Sequence, residues 1–269
     1  MKSEGWKNEG GLRKKGYFQK SYTGKPLISI ITVVLNSERY LEETILSVIN
    51  QPYDNIEYII IDGGSSDGTL DIIKKYENKI NYWVSEKDSG IYEAMNKGIA
   101  LVTGDWVNFV NSSDTINKDA YGVISDYLVD CSHQCNVVAF GYSFTKINSK
   151  GILSKVERKP SLKKKWKMPS SHNTIIYKSN VLRENKFNLS FKCASDFDQI
   201  NRINSTKKIC KNNYILSNIR IDGFISQNKF QSFLEYIQIC WQGSNKIYTP
   251  YLFGRLVLIY LSIKIRKFL

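Results

Sequence analysis

The sequence predicts an α/β fold, a Rossmann-like, doubly wound and mainly parallel sheet flanked by helices, with a helical extension at its carboxyl end. Three observations carry this. Continuous apolar runs of strand length, LISIITVVL (Leu27–Leu35) and IEYIII (Ile56–Ile61), lack the alternation of a half-exposed strand and suit strands covered on both faces. Segments with apolar residues at helical spacing separate such runs. The second run leads into IIIDGGSSDG (Ile59–Gly68), which puts an acid and turn-forming residues at a strand's carboxyl end, the edge where open α/β sheets bind ligands.

The elements follow in order. A polar, basic lead of about 25 residues precedes the first strand, which ends at Asn36. Glu38–Gln51 places Leu41, Ile45, Val48 and Ile49 on one helical face and must stop at Pro52. After the second strand, Gly63 and Gly64 allow backbone approaches that a Cβ forbids. Ser65, Ser66 and Asp67 suit the cap of a helix starting at about Thr69 and covering Leu70–Tyr76. A third strand lies near residue 82, followed by the polar turn SEKDSG, a helix over Ile91–Val102 with Met95, Ile99 and Val102 inward, and a fourth strand over Asp105–Val110. Beyond about residue 115 the pattern changes. Lys118–Val129 reads as helix and Val137–Phe144 as extended, while KVERKPSLKKKWKMPSSH has the proline and serine content of a mobile loop. Asp196–Ile203 opens a further helix, Tyr214–Ile221 reads as strand, and the chain from Phe230 reads as helical to its end, with no internal repeats.

Composition narrows the class. The chain has 269 residues, 42% hydrophobic, with 38 Lys and Arg against 25 Asp and Glu, a net charge of +13. The cations cluster at Lys7–Lys25, at Lys155–Lys167 and at Lys264, Arg266 and Lys267, which suits an anionic membrane surface, a phosphate-bearing substrate or nucleic acid, or else a solvated face. Aromatic residues interleaved with cations on a nucleic-acid-binding surface are absent, which argues against that class. Five cysteines, Cys131, Cys135, Cys193, Cys210 and Cys240, include no C-x-x-C pair, and MKSEGWKNEG lacks a signal-peptide core, so a reducing, cytoplasmic setting is expected. No run reaches the roughly 18 apolar residues of a membrane span; the tail YLFGRLVLIYLSIKIRKFL is interrupted by Arg255 and Lys264.

Taken alone, DGGSSDG is ordinary turn and capping chemistry. It is not a dinucleotide fingerprint, since G-x-G-x-x-G is missing, nor a P-loop, since no Lys follows the glycines. It is not a calcium loop either, because Asp67 stands at the sixth position, where such a loop needs Gly.

The order of motifs is more telling than any one of them. An apolar strand ending at Asn36, then DGGSSDG, DSGIYEAMNKGI, GDWVNFVNSSD and ASDFD together resemble the family 2 glycosyltransferases of the GT-A fold, over about residues 26–225. The resemblance implies a basic lead over 1–25, a nucleotide-binding half over 26–115, an acceptor and catalytic half over 116–225, and a membrane-associating helical extension over 226–269. It implies an inverting transfer from a UDP-sugar, with Val33, Asn36, Asp62, Asp88, Gly90, Asn111, Ser112, Ser113 and His172 around the donor. Asp62 is expected to accept from a uracil N–H and Asp88 from ribose or base. Gly90 and Gly98 permit close packing and Asn96 holds the loop, unless these serve only turn and helix packing.

NSSD (Asn111–Asp114) falls where the family carries D-x-D, but Asn111 and Ser113 stand where carboxylates are often found. Asp114 is therefore the residue expected to meet Mn²⁺ or Mg²⁺, with a structural cap as its other reading. Asp196 falls at the family's general base, and one carboxylate is enough for an inverting transfer; Asp198 is a helix-start or supporting group. His172 either approaches the diphosphate or acceptor or is simply packed. Lys163, Lys164, Lys165 and Lys167 around Trp166 either meet acceptor phosphates or lipid headgroups, or belong to a solvated loop.

The function expected from the resemblance is sugar transfer to a lipid-diphosphate-linked saccharide in bacterial surface-polysaccharide (O-antigen or capsule) synthesis, with a soluble or protein acceptor as the alternative. The enzyme would work from the cytoplasmic face of the inner membrane. In the tail, Tyr251, Leu252, Leu256, Ile259, Tyr260 and Ile263 form an apolar helical face that lies either in the bilayer interface or on the protein's own surface.

Overall fold

The computed structural model describes residues 8–147, 153–162, 167–220, 229–242, 250 and 254. Its centre is a block of four parallel strands: β2 (Ile28–Val34), β3 (Ile56–Asp62), β4 (Tyr82–Ser85) and β5 (Trp106–Phe109). All seven residues of β2 and all seven of β3 are buried, which is why these runs are apolar without alternation. The flanks are mixed: β1 (Asn8–Gly10) runs antiparallel to β4, while β9 (Ile175–Lys178) runs antiparallel to both β5 and β7 (Val137–Ile147). β10 (Ile209–Ile219) runs parallel to β7 and antiparallel to β6 (Thr115–Ile116), and β8 (Leu153–Arg158) hangs on β7.

Two apolar layers cover the sheet. Ile28, Ile30, Tyr58 and Ile60 point into one, where Leu41, Ile45 and Val48 of α1 (Leu41–Ile49), Ile73 of α2 (Thr69–Lys75) and Ile124 of α4 (Ala120–Cys131) meet them. Ile31, Val33, Ile59 and Ile61 point into the other, against Met95 and Ile99 of α3 (Ile91–Leu101), Leu182 of α5 (Ser179–Glu184) and Ile200 of α6 (Ser195–Thr206). The two-residue side-chain period of a strand divides each run between the layers. Gly98 lets α3 close on the sheet, because a Cβ there would lie 2.6 Å from Cγ2 of Ile31. A third cluster joins α6 to α7 (Lys229–Gln242): Phe191, Ala194 and Phe197 pack with Ile239 and Cys240.

Three expectations change. The basic lead is not merely polar: β1 extends the sheet, and Arg13, in a short 3-10 turn, reaches the buried Glu57 of β3. The stretch expected as a loop from Lys155 is strand as far as Arg158, paired with β7; Lys163–Trp166 lie outside the described residues. Cys135 and Cys210 form a disulfide although the sequence reading finds no pair and infers a reducing setting. Parallel pairing of β7 with β10 brings these cysteines, 75 residues apart, to a Cα separation of 5.8 Å, within disulfide reach.

Glu57 is a buried polar junction within the sheet. It accepts from the Arg13 guanidinium, Ser29 Oγ (2.5 Å), the Thr103 N–H (2.8 Å) and the Thr103 hydroxyl, tying together the lead, β2, β3 and the approach to β5. Removing one side of a buried ion pair costs about 3–5 kcal/mol, because the other groups stay buried without a partner. Glu57→Ala is therefore expected to lower the urea unfolding free energy by about that much. A loss below about 1 kcal/mol would mean that Glu57 does not hold the lead to the sheet.

Candidate active site

The chain order places a crevice. β2 is followed through α1 by β3 on one side, whereas β5, reached after β4 and α3, pairs on the other. The direction of winding reverses between β2 and β5, so the loops after their carboxyl ends diverge and leave a crevice for a ligand.

On the β3 side the crevice wall is the DGGSS turn. Asp62 is fully buried and accepts from the Ser65 N–H (3.1 Å), Ser65 Oγ (2.5 Å) and Ser85 Oγ (2.6 Å). Its carboxylate therefore shapes the turn. Asn36, at φ 49°, accepts from the Ser66 N–H (2.9 Å) and donates its own N–H to Ser65 Oγ (2.8 Å), closing the turn over the end of β2. The N-cap of α2 is Gly68, which makes no side-chain cap; Asp67, one residue earlier, accepts from the Thr69 N–H at 3.0 Å. Val33 lies opposite Ile61 with its side chain in the core and not at the edge.

Asp88 has a freer carboxylate. Oδ1 takes the N–H of Gly90 (2.9 Å), and Oδ2 lies over Gly63, where a Cβ would come within 2.6 Å. Burial pushes its carboxyl above the ordinary range. Gly90 precedes α3 at φ 140°, a conformation open to glycine. Asn96, on α3, holds Phe187 from both sides, donating to its carbonyl and accepting from its N–H, each at 2.9 Å.

The β5 side is the NSSD loop. Asp114 is 2% exposed and accepts from the Arg220 N–H (2.8 Å), Asn111 Nδ2 (3.0 Å) and Asn173 Nδ2 (2.5 Å). Burial raises its carboxyl to about 6, opposed by the Arg220 N–H and the Asn111 amide. The Ser112 carbonyl accepts from Ser37 Oγ (3.3 Å), and that of Ser113 from Arg220 Nε (3.1 Å). The expectation that Asp114 meets a divalent ion encounters a different geometry: its acceptor positions serve three protein N–H groups. Among the described residues no group of three or more His, Cys, Asp and Glu is able to hold a metal.

Asp196 stands in the first turn of α6, buried, accepting from the Phe197 N–H (2.8 Å) and Tyr92 Oη (3.3 Å). Burial raises its carboxyl to about 6, against the lowering effect of those two donors. Asp198 pairs with Arg202 at 2.9 Å, a helix-surface contact. The sequence reading also allows His172 to approach the diphosphate or acceptor. Its ring packs instead on Phe109 (4.9 Å) and Phe187 (5.6 Å), and its buried nitrogens have no hydrogen-bond partner. Burial lowers its pKa to about 4, which favours the neutral imidazole.

Four contributors escaped the sequence reading. Tyr92 lies inside DSGIYEAMNKGI, and its spacing from Asp88 was the available signal. Ser85, Asn173 and Arg220 have none, since each meets the site through strand pairing or a long-range contact.

Comparisons with known proteins bear on the family and the fold. Residues 29–195 match the model of "Glycosyl transferase family 2". A Bacillus subtilis (strain 168) protein with the provisional name teichuronic acid biosynthesis glycosyltransferase TuaG is 36% identical over 122 residues, 44% of this chain and 48% of its own. The chain spans about half the length of the curated relatives it matches first. Among solved structures, S. aureus TarS 1–349 in complex with UDP-GlcNAc superposes with TM-score 0.60 at 19% identity, over 86% of this chain and 71% of that one. The mannosyltransferase PcManGT from Pyrobaculum calidifontis, in complex with GDP-Man and Mn²⁺, does so with TM-score 0.65 at 17% identity, over 87% and 70%. At these identities the two structures establish the fold, which is GT-A. The family match runs from β2 through the DGGSS turn, the DSG segment and the NSSD loop to the first residue of α6, beside Asp196, and on that basis the chain belongs to glycosyl transferase family 2.

Proposed function

We propose that the chain moves a sugar, with inversion, from a UDP-sugar to a hydroxyl of a lipid-diphosphate-linked saccharide in bacterial surface-polysaccharide synthesis. The observation that carries this is the start of α3. Within five residues it presents Asp88 above Gly63, beside the turn suited to a nucleoside, and Tyr92 against Asp196, the carboxylate suited to a base. The turn before α3 and the first turn of α3 thus join a donor end to an acceptor end. The TarS complex with UDP-GlcNAc supports a UDP-sugar, and TuaG's name supports a surface polymer. The PcManGT complex with GDP-Man makes the base worth testing directly. Incubating the protein with UDP-, GDP- and dTDP-sugars and following nucleotide release tests the reading; release from GDP-sugars alone would overturn the UDP assignment.

In this reading Asp196 takes the proton of the acceptor hydroxyl as that oxygen attacks the face opposite the leaving diphosphate. A carboxyl near 6 is charged at neutral pH yet a stronger base than an ordinary aspartate. Asp88, with Oδ2 available, is the nucleoside acceptor, and Asp62 keeps the turn in shape. Asp114 anchors the NSSD loop to Asn173 and Arg220.

Asp196→Asn is expected to lower turnover on the order of 10²–10⁴-fold with UDP affinity nearly unchanged; near-normal turnover would remove Asp196 from the role. The wild-type kcat should rise with pH through a midpoint of about 6, as the base loses its proton. Stability moves the other way. A carboxyl raised above its unfolded value of about 3.9 favours the fold when protonated, and that contribution fades as pH rises through about 6.

Asp88→Asn should weaken UDP binding about tenfold, the scale of one charge-assisted hydrogen bond, while leaving the melting temperature in place. Asp114→Ala should instead lower the melting temperature and weaken UDP binding equally with and without Mn²⁺. An Asp114→Ala protein of normal stability that lost only a Mn²⁺-dependent gain in affinity would restore the metal to that residue.

The membrane part of the proposal rests on the tail, of which only Gly254 is among the described residues. No helix among the described residues is long and apolar enough to cross a membrane. Tyr251–Leu269 combines an apolar helical face with cations at its margin and suits the bilayer interface. Deleting it should release the protein from anionic vesicles with UDP affinity intact; equal pelleting of the truncated protein would rule it out as the anchor.

A further inference from the structure

Glu235, on α7, is 8% exposed and has no cationic partner among the described residues. Four N–H donors meet its carboxylate. Oε1 accepts from the Lys192 N–H (3.0 Å) and from Gln231 Nε2 (3.2 Å). Oε2 accepts from the Cys193 N–H (2.8 Å) and the Ala194 N–H (2.9 Å). Three consecutive backbone donors, ending at the residue that caps α6, therefore converge on one side chain from another helix. Asp196 follows two residues later. On its other flank Tyr236 lies flat on Phe197, with ring centroids 4.2 Å apart and planes 8° apart. α7 thus grips the chain immediately before Asp196 through Glu235 and immediately after it through Tyr236.

An apolar residue would pack on α6 as well as Glu235 does but would leave those three buried N–H groups without acceptors. A carboxylate satisfied only by N–H donors is costly to bury, and what it secures here is the path of residues 192–194. It also places a negative charge beside Asp196. The groups that interact with Asp196 are Tyr92 of α3, Tyr177 of β9, Cys193 in the preceding loop, and Glu235 and Tyr236 of α7. Glu235 is the one other carboxylate in that set, and its charge works with burial in raising the Asp196 carboxyl.

We propose that Glu235 is a positioning residue for sugar transfer: by holding the 192–194 backbone it sets where the Asp196 carboxylate meets the acceptor hydroxyl, so that α7 belongs to the catalytic apparatus. The proposal rests on the reading of Asp196 as the base.

The test uses the full chain with Glu235→Gln and Glu235→Asp, each also combined with Asp196→Asn. Glu235→Gln keeps one acceptor oxygen and removes the charge. Its UDP dissociation constant should stay within about twofold, while UDP release in the donor assay falls at least about tenfold, as small misplacements of reacting groups do. The midpoint of its pH–kcat profile should move below about 6. Glu235→Asp, with the charge kept and the reach shortened, should lose kcat with the midpoint in place. In the Asp196→Asn background neither substitution should lower the residual rate further. A second measurement needs no turnover: the Asp196 carboxyl titration, read by ¹³C NMR on aspartate-labelled protein and assigned by its absence in Asp196→Asn, should shift to lower pH in Glu235→Gln.

Wild-type kcat and an unmoved titration in a folded Glu235→Gln protein would overturn the proposal. So would losses of melting temperature and activity in proportion, with the midpoint unmoved. If Glu235→Gln does not fold, an unchanged kcat in Glu235→Asp overturns it. If Asp196→Asn turns over normally while the titration still shifts in Glu235→Gln, the base assignment has failed and the contact between the two carboxylates stands.

Discussion

The arrangement of the crevice depends on the register of β2 between its two parallel neighbours. Ile28 lies opposite both Ile56 and Trp106, and Val34 ends the ladder opposite Asp62. Because side chains alternate between faces, a slip of one residue would send the apolar set of β2 to the wrong layer, so burial on both faces holds this register firmly. The loops after β2, β3 and β5 therefore emerge at fixed relative heights. The Gly63 N–H donates to the Val34 carbonyl and that of Val110 to the Ile31 carbonyl, each at 2.9 Å, so both walls of the crevice are tied to the same strand.

Above that frame the site is organised by buried carboxylates, and their partners separate two kinds of work. Glu57, Asp62, Asp114 and Glu235 are each surrounded by protein donors and act as joints: lead to sheet, strand to turn, loop to loop, helix to helix. Only Glu57 has a cation for a partner among these four. A buried acid without hydrogen bonds is prohibitively costly, so each such joint requires several donors in the right place and thereby specifies the geometry of the chain around it. Asp88 and Asp196 are different. Asp88 has one backbone partner for two oxygens, and Asp196 is held by one N–H and a longer contact from Tyr92. These are the carboxylates with capacity left for a substrate.

α3 and α7 link the two ends of the site. α3 starts under the nucleoside end and presses Tyr92 and, through Asn96, Phe187 against the floor beneath Asp196. Phe187 in turn packs on Phe109 and on the neutral ring of His172, so the apolar floor is continuous from β5 to α6. α7 closes the assembly from the far side, its Ile239 and Cys240 packed with Phe191, Ala194 and Phe197. The first part of the region expected to serve the membrane is therefore also part of the domain's packing.

Local chemistry made much of this visible in the sequence by itself. The strands β2 and β3 and helices α1 to α3 follow from apolar runs, helical spacing and turn residues, all of which act over a few residues. The order of motifs likewise singles out Asp62, Asp88, the NSSD loop and Asp196. Tertiary structure alone decided what those groups do there. Whether Asp114 faces an ion or three N–H donors depends on Asn173 and Arg220, which lie 59 and 106 residues away. Pairing of Cys135 with Cys210 required the parallel register of β7 and β10, and the neutrality of His172 required Phe109 and Phe187. The role of Glu235 likewise follows only from its meeting with the 192–194 backbone, about 40 residues earlier in the chain. Hydrogen bonding and desolvation depend on which distant groups come within a few ångströms, and that is set by packing and not by spacing along the chain.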